Sequence, residues 1–275
     1  AYAGHAFLRI LHTLIMTCNP RETEIDELAM HIPITLNGPE RRYAYTLNQL
    51  EQGTLNSGET LHISQRLDNH VQVHRHQGAV SQVVAEGKHT EGWLTLNDGI
   101  TGLGVAFRHM SEEYPKALEI PVGAEGITAY FWRDPDAKRL SLSRNAEEVA
   151  WHEGEGVYAD GTGLAKTSEC FVCYYEAPQQ EETIETLRTM LTPPHAAVDP
   201  AWMARCEATG GFASYDPQRF PASERMMTGF ADWMERNVHL GRWYSFLDWG
   251  DILAAWDEAD DDWRFRGRWG WCNSE

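Results

Sequence analysis

The hydrophobic period of this chain changes near residue 180, and that change constrains its fold more than any other feature. Before Pro178, short runs of β-favouring residues alternate with turn signals such as Asn37-Gly38-Pro39 and Asn97-Asp98-Gly99. Beyond it, apolar residues recur at helical spacing. Many short strands with frequent turns are typical of a sandwich or barrel. We therefore expect a β + α multidomain protein, with a β-sandwich-like or barrel-like domain over residues 1–180 and helices over residues 181–275.

Individual elements follow from the same patterns. Strands are expected where β-favouring residues are bounded by turn residues, over residues 6–16, 31–36, 42–47, 60–67, 69–76, 92–96, 100–108, 127–132 and 170–176. Helices are expected over residues 181–190, 200–209 and 221–237, with a short one over 251–256. Asp199 is placed to cap the second helix, and Gly210-Gly211 to end it.

An apolar stripe runs along the predicted helix 221–237. It consists of residues that fall on one face at helical spacing: Met226, Met227, Phe230, Trp233 and Met234. Such stripes are more often core than binding surface, so we expect this one to be buried.

The net charge and the aromatic content of the chain indicate which classes of partner it could bind. The formal net charge of −18 over 275 residues repels phosphate backbones, so nucleic acid is an unfavourable partner. An anionic polysaccharide is repelled as well, unless a local basic pocket receives it. Eleven tryptophans and ten tyrosines offer faces on which sugar rings stack, although most large aromatics simply fill cores.

The apolar runs, the cysteines and the termini bear on the cellular compartment of the protein. No apolar run has the length of a membrane span, so a membrane is not an expected partner. Five cysteines show no framework spacing and are not typical of a disulfide scaffold. Both termini look cut, and an export signal is expected outside the sequence, which favours a secreted or periplasmic location.

Residues 160–167 resemble a phosphate-binding loop at first sight but lack the features that such a loop needs. Asp160 and Ala165 stand where the two glycines of such a loop belong, and the residues that follow predict a strand. Without a helix N-terminus the anion site is not built, so we exclude nucleotide binding.

Three segments contain residues of types and spacings that occur in metal-binding sites. Cys170 and Cys173 are three apart in a predicted strand, which puts them on opposite faces. His74 and His76 share a face and could act as two ligands, but an exposed polar face is the simpler interpretation. The acidic run 257–262 could hold Ca²⁺, yet most such runs are solvated. No metal-binding residue is assigned, and Ca²⁺ is the one candidate cofactor.

The segments 241–251 and 266–275 are the richest in potential binding groups. They mix aromatics, carboxylates, arginines and glycines with little amphipathic period. Loops of this composition form polar pockets with stacking walls. The alternative is a pair of loops whose aromatics pack on their own helices, and the residues alone leave both open.

Five segments, in order, resemble the exo-rhamnogalacturonan lyase/YetA-like polysaccharide lyases. They are residues 102–110 followed by Tyr114-Pro115-Lys116, then 127–132, 163–169 with Ala165-Lys166-Thr167, 244–251 and 269–275. The resemblance implies an N-terminal RIFT-barrel or β-sandwich module followed by an (α/α) toroid, of which residues 181–275 supply only the first part. Ser168, Cys272 and Ser274 depart from the family's pattern. Ser168 stands where the family often has His, which puts activity in doubt.

The resemblance also implies a chemistry, β-elimination from an acidic glycan such as rhamnogalacturonan. A base removes the C5 proton of a uronate, an acid assists the leaving oxygen, and a cation neutralises the carboxylate. We expect Tyr244 and Arg242 to take part directly, while the main base lies beyond residue 275 and this fragment alone is inactive. The sugar pocket is expected to be lined by Trp243, Asp248, Asp251, Trp269, Asn273 and Glu275, with Lys166 and Glu169 approaching from the β domain.

Two other functions stay open at this point. A non-catalytic carbohydrate-binding or scaffold protein would bind glycan without turnover. A glycoside hydrolase would use paired carboxylates and release saturated products. In all three readings the partner is a polysaccharide or oligosaccharide.

Overall fold

The computed structural model describes residues 6–20, 22–134, 136, 138–141, 162–206, 210–211, 213–241, 254–257 and 262–265. The chain divides into two compact units, Ala1–Pro193 and Pro194–Glu275.

Twelve strands and one helix form the described part of the first unit. The strands are β1 (Phe7–Ile15), β2 (Glu27–Pro33), β3 (Arg42–Thr46), β4 (Leu50–Thr54), β5 (Glu59–Leu67), β6 (His70–Gln77), β7 (Val80–Gly87), β8 (Trp93–Asn97), β9 (Thr101–Phe107), β10 (Lys116–Ile120), β11 (Gly126–Arg133) and β12 (Ala165–Glu176). A 3₁₀ turn, Ala177–Gln179, leads from β12 into helix α1 (Gln180–Leu191).

The strands form two six-stranded antiparallel sheets. The first has the order β1-β12-β9-β8-β3-β4 and the second the order β2-β11-β10-β5-β6-β7. One core draws on both sheets, with Val105 and Phe107 from the first and Leu61, Ile63 and Leu118 from the second. The prediction of a β-sandwich-like first domain is therefore confirmed.

Alternation of side chains sets the two faces of the second sheet. In β5, Leu61 and Ile63 are fully buried in the core, whereas His62 between them points to the outer face. The same alternation in β6 buries Val71 and Val73. The outer face of this sheet is consequently polar.

Helix α1 covers the outer face of the first sheet. Ile184 and Leu187 pack against Trp93 and Phe171 in a second, smaller core. Because both faces are covered there, β8 and β9 are buried almost throughout and do not alternate. The helix predicted over residues 181–190 is thus present, but it packs on the β unit, which extends to Pro193 and not only to residue 180.

The described part of the second unit contains helix α2 (Pro200–Arg205), helix α3 (Pro221–Gly241) and a hairpin of β13 (Ala254–Asp257) and β14 (Asp262–Phe265). Asp199 caps α2 as predicted, since its carboxylate accepts a hydrogen bond from the amide of Ala201 at 2.9 Å. No helix among the described residues is long and apolar enough to cross a bilayer.

Two predictions for this unit are wrong. Of the short helix expected over 251–256, residues 254–256 belong instead to strand β13, in which Trp256 is opposite Trp263 in the register, and residues 251–253 lie outside the described part of the chain. Aromatic residues favour paired strands, and the second strand of the hairpin supplies a partner that the local pattern did not reveal. The stripe on α3 is not buried as a whole: Met226, Met227 and Phe230 are 57–68% accessible, whereas Trp233 and Met234 are partly buried. Helical spacing identifies an apolar face without saying what covers it.

Candidate functional site

Most of the sequence-predicted site lies outside the described residues. This applies to Arg242, Trp243, Tyr244, Asp248, Asp251, Trp269, Asn273 and Glu275, and to most of the acidic run considered for Ca²⁺. Their roles stay predictions. The two remaining site residues, Lys166 and Glu169, are both on strand β12.

Lys166 and Glu169 lie on opposite faces of β12. The register of β12 with β1 is unbroken, with Leu14 opposite Lys166 and Leu11 opposite Glu169. Residues three apart in a regular strand point to opposite sides of the sheet. The two side chains therefore do not line one common pocket.

On the inner side, Lys166 belongs to what we call the Glu113 cluster: Glu113, Lys116, Lys166 and Ser168. The Glu113 carboxylate pairs with the Lys166 ammonium through one oxygen and with Nζ of Lys116 through the other, at 2.6 Å. The hydroxyl of Ser168 lies 3.4 Å from the latter oxygen, to which it donates. The cluster ties the start of β10 to β12.

Burial dominates the electrostatics of this cluster. Lys116 is 1% exposed, and its Nζ lies 4.6 Å from the centre of the Phe107 ring. Burial lowers the pKa of Lys116, and the charge of Glu113 offsets part of that effect. Burial alone would raise the pKa of Glu113, but the charge and hydrogen bond of Lys116, together with Lys166, hold it below 4.5. The pair is buried and joins the segment before β10 to β12, so its role is structural.

Ser168 occupies the position at which the resembled family often has His. It is 5% exposed, and its cross-strand partner is His12, whose ring stacks on Phe131 at 4.5 Å between centroids. Directly opposed residues have Cβ atoms about 5 Å apart. An imidazole is thus adjacent to this position, supplied by β1 and not by β12.

On the outer side, Glu169 anchors helix α1. Its carboxylate pairs with Arg9 and lies 2.9 Å from Nη1 of Arg108. Nη2 of Arg108 donates to the carbonyl of Met190 in the last turn of the helix, at 2.5 Å. A guanidinium there compensates the negative end of the helix dipole. Glu169 is accordingly committed to packing and is 12% exposed.

The Cys170–Cys173 pair is buried on both sides of the sheet. Cys170 lies in the core between the sheets and Cys173 under helix α1, which confirms the prediction that they face opposite ways. Both thiols are free. Burial raises the pKa of Cys170 to about 12, so this thiol is not a reactive group.

A group of imidazoles lies together on the outer surface of the second sheet. The predicted shared face of His74 and His76 is confirmed, because their rings stack at 5.8 Å with an angle of 12°. The sequence patterns missed His62, which is opposite His74 in the register at 6.5 Å between ring centroids. We call His62, His74, His76, Glu119 and Arg133 the histidine face.

Glu119 is the hub of the histidine face. Its carboxylate lies 3.0 Å from Nδ1 of His62 and 3.0 Å from Nη1 of Arg133. The guanidinium of Arg133 also lies over the ring of Tyr130, at 4.4 Å. Burial would raise the pKa of Glu119, but the hydrogen bond and charge of His62 and the charge of Arg133 hold it below 4.5. Burial, then the charge of Glu119, raises the pKa of Tyr130 to about 12.

The outer strands extend this network. Arg66 donates to the amide oxygen of Gln72 at 2.9 Å and pairs with Asp136 at 2.7 Å. The amide nitrogen of Gln72 donates to Glu86 at 2.5 Å. Chemically, the surface offers imidazole and guanidinium donors for anions. Among the described residues no set of three His, Cys, Asp or Glu side chains has the geometry of a metal site.

A cleft of about 560 Å³ opens between the two sheets at the C-terminal end of β12. Tyr174 is 39% exposed there, and its hydroxyl donates to the carbonyl of Pro33 at 3.0 Å, which fixes the ring. Thr35, Glu176 and Gln179 add polar groups to the walls. The sequence patterns did not single out this cleft, because its residues come from four distant segments.

Comparison with known proteins gives one informative similarity. The chain is 27% identical over 187 residues to the uncharacterized protein YetA of Bacillus subtilis (strain 168). The alignment covers 63% of this chain and 22% of YetA, so the chain spans about a fifth of that relative. No family model matches. The similarity is consistent with the YetA-like resemblance of the motifs, and it brings no activity with it.

Proposed function

We propose that this chain is part of a carbohydrate-active protein that cleaves an acidic polysaccharide of the rhamnogalacturonan kind by β-elimination. In this proposal the β-sandwich holds the glycan, and the chain after Pro193 begins an (α/α) toroid that carries the chemistry. The order of the lyase-like motifs supports it, and the similarity to YetA is consistent with the resemblance that those motifs carry.

The cleft at Tyr174 is the observation on which the glycan-holding role depends. An exposed tyrosine ring stacks on the apolar face of a sugar. The hydrogen bond to Pro33 already fixes this ring, so binding costs little further conformational entropy. The carboxylate of Glu176 and the amide of Gln179 can accept and donate to sugar hydroxyls.

The reacting groups are assigned to the second unit. Lys116 is too buried to meet a polymer, and Glu169 is held by two arginines. Arg242 is therefore proposed to neutralise the uronate carboxylate and Tyr244 to transfer a proton. The other predicted residues of the two loops would line the sugar subsites.

The test uses the full-length protein with rhamnogalacturonan. Unsaturated uronate should accumulate and be detected by ultraviolet absorbance. Tyr244→Phe and Arg242→Ala should lower kcat at least tenfold, whereas Tyr174→Ala should raise KM and leave kcat nearly unchanged. Tyr215→Ala, which removes an exposed tyrosine of the second unit, is the matched control. Saturated products would contradict β-elimination and select a hydrolase.

A non-catalytic glycan-binding role is the second candidate, and Ser168 favours it. The side chain at this position is a buried hydroxyl that donates to Glu113, so it supplies neither a base nor a cation. Glycan binding by the full-length protein without any turnover, and without an effect of the Tyr244 and Arg242 variants, would select this alternative.

A further inference from the structure

The histidine face concentrates proton-dependent charge on an otherwise acidic protein. We propose that it binds the carboxylates of an acidic polysaccharide when its imidazoles are protonated and releases them near neutral pH. The surface is separate from the Tyr174 cleft. Only the choice of a polyuronate as ligand rests on the proposed function.

The geometry suits a ligand with repeated negative charges. The ring centroids of His62 and His74 are 6.5 Å apart, and those of His74 and His76 are 5.8 Å apart. Nδ1 of His62 is engaged by Glu119, and the two nitrogens of His74 have long contacts of 3.4 Å with Ser81 and Gln72. Charge-assisted hydrogen bonds to carboxylates are about twice as strong as neutral ones, so a ligand carboxylate can replace the long contacts of a protonated His74. A polymer that engages several such donors gains from multivalency without further contacts.

The charge of the surface changes sign with protonation. Among the described residues of this network, the guanidiniums of Arg66 and Arg133 face the carboxylates of Glu86, Glu119 and Asp136, and Glu27 on β2 is opposite Arg133 in the register. Two positive and four negative groups leave two excess negative charges while the imidazoles are neutral. Protonation of the three imidazoles adds three charges and leaves one in excess on the positive side. Attraction of a polyanion is therefore confined to mildly acidic pH.

The pKa of His74 depends on its burial and on the charges around it. Burial, then the charges of His62 and His76 and that of Arg66 on β5, lowers its pKa, and Glu86 on β7 opposes them. A bound carboxylate acts in the same direction as Glu86, so it raises the pKa of His74. Binding is therefore coupled to proton uptake.

The position of this surface also resolves a conflict in the sequence. A net charge of −18 disfavours any anionic glycan. Screening limits that repulsion to about 8–10 Å at physiological ionic strength. A local cluster of protonated imidazoles and arginines can therefore prevail at short range.

The experiment measures binding of polygalacturonate to this protein by calorimetry in the presence of a chelator, at about pH 5 and about pH 7.5. We expect at least tenfold tighter binding at the lower pH. At that pH the heat should depend on the ionisation enthalpy of the buffer, which reports proton uptake. The double variant His74→Gln/His76→Gln should lose most of the pH dependence. His89→Gln, which removes an exposed imidazole from the β7–β8 loop, should behave as wild type.

Three outcomes would overturn the proposal: affinity that does not change with pH, unchanged pH dependence in the double variant, and equally tight binding of a neutral galactan. The thermal unfolding of the variant shows whether it folds. Proton NMR titration of the wild-type imidazoles, with and without galacturonate oligomers, provides a second test, in which the pKa of His74 must rise. None of these measurements depends on turnover, so failure of the lyase proposal and failure of this one are separable.

Discussion

Neutralising Glu113 tests the role of the buried cluster most directly. Glu113→Gln keeps the shape of the side chain and removes the charge that compensates Lys116, which is 1% exposed, and Lys166. Removing one partner of a buried ion pair costs about 3–5 kcal/mol, because an uncompensated charge stays in a poorly polarisable interior. A unit of this size loses about 2–4 °C in Tm for each kcal/mol. We therefore expect a fall of roughly 10 °C.

A double variant separates the charge effect from loss of packing. In Glu113→Gln/Lys116→Met the unpaired ammonium over Phe107 is replaced by an apolar chain of similar length. Replacement of a whole buried pair is often nearly neutral, so this variant should be within about 2 kcal/mol of wild type. The double variant should therefore be more stable than Glu113→Gln alone, by roughly 1–5 kcal/mol. Glu185→Gln, which removes an exposed ion pair on α1, should cost less than about 1 kcal/mol.

The pH dependence of the single variant has a defined sign. The pKa of Lys116 is lower in the folded protein than its unfolded value of 10.5. Between the two values the unfolded chain binds more protons, so the free energy of unfolding rises with pH in that window. Loss of the Glu113 charge lowers the folded pKa further and widens the window. The deficit of Glu113→Gln should therefore shrink as the pH is raised toward 10.5.

Equilibrium urea unfolding followed by circular dichroism, together with calorimetry, measures all of these quantities. A deficit below about 1 kcal/mol for Glu113→Gln would refute the reasoning, and so would a double variant as unstable as the single one. Either result would mean that solvent or rearrangement compensates Lys116.

Two further substitutions test the packing around the first sheet by the same unfolding assay. Gly102→Ala places a Cβ 2.2 Å from the ring of Tyr175 and should cost about 1–3 kcal/mol, whereas Gly229→Ala in helix α3 meets no atom within 4 Å and should stabilise by about 0.5–1 kcal/mol. Arg108→Met removes the links from Glu169 to the last turn of α1 and should cost about 1–3 kcal/mol, with amide hydrogen exchange accelerated in α1 more than in β5.

Much of the β unit was predictable, because alternation and turn residues coincide in most of its strands. Strands β4, β7 and β10 were missed. The first two contain glycine and several polar residues and are at the edges of their sheets, where one side of the strand has no partner and the pattern is weak. Strand β10 begins with Lys116, a charged residue that is buried only because Glu113 precedes it. The residues next to Lys116 in the sequence do not indicate that it is buried.

The sequence predicted the shared face of His74 and His76 but not the position of His62 beside them, and a β-bulge explains why. A regular two-residue turn at Asp68-Asn69 would put His62 opposite Arg75 and His74 on the other face of the hairpin. The bulge between Gln65 and Leu67 shifts the register by one residue and brings His62 opposite His74. A shift of one residue exchanges the faces of a strand, so the composition of this surface depends on a feature that residue patterns do not encode.

The same period of two limits what can be transferred from a family motif to this chain. The rule that separates Cys170 from Cys173 also separates Lys166 from Glu169. In the structure Lys166 pairs with Glu113 in a buried cluster, whereas Glu169 on the other face anchors helix α1 through Arg108. Residues that are close together in a motif are close along the strand, but they alternate between its two faces, and a ligand contacts only one of those faces. If Lys166 does approach a glycan, its partners must come from β1 or from the segment before β10, where His12 and Glu113 already contact the same side of the sheet. A Lys166→Gln variant that weakens glycan binding while Glu169→Gln weakens only stability would separate the two roles.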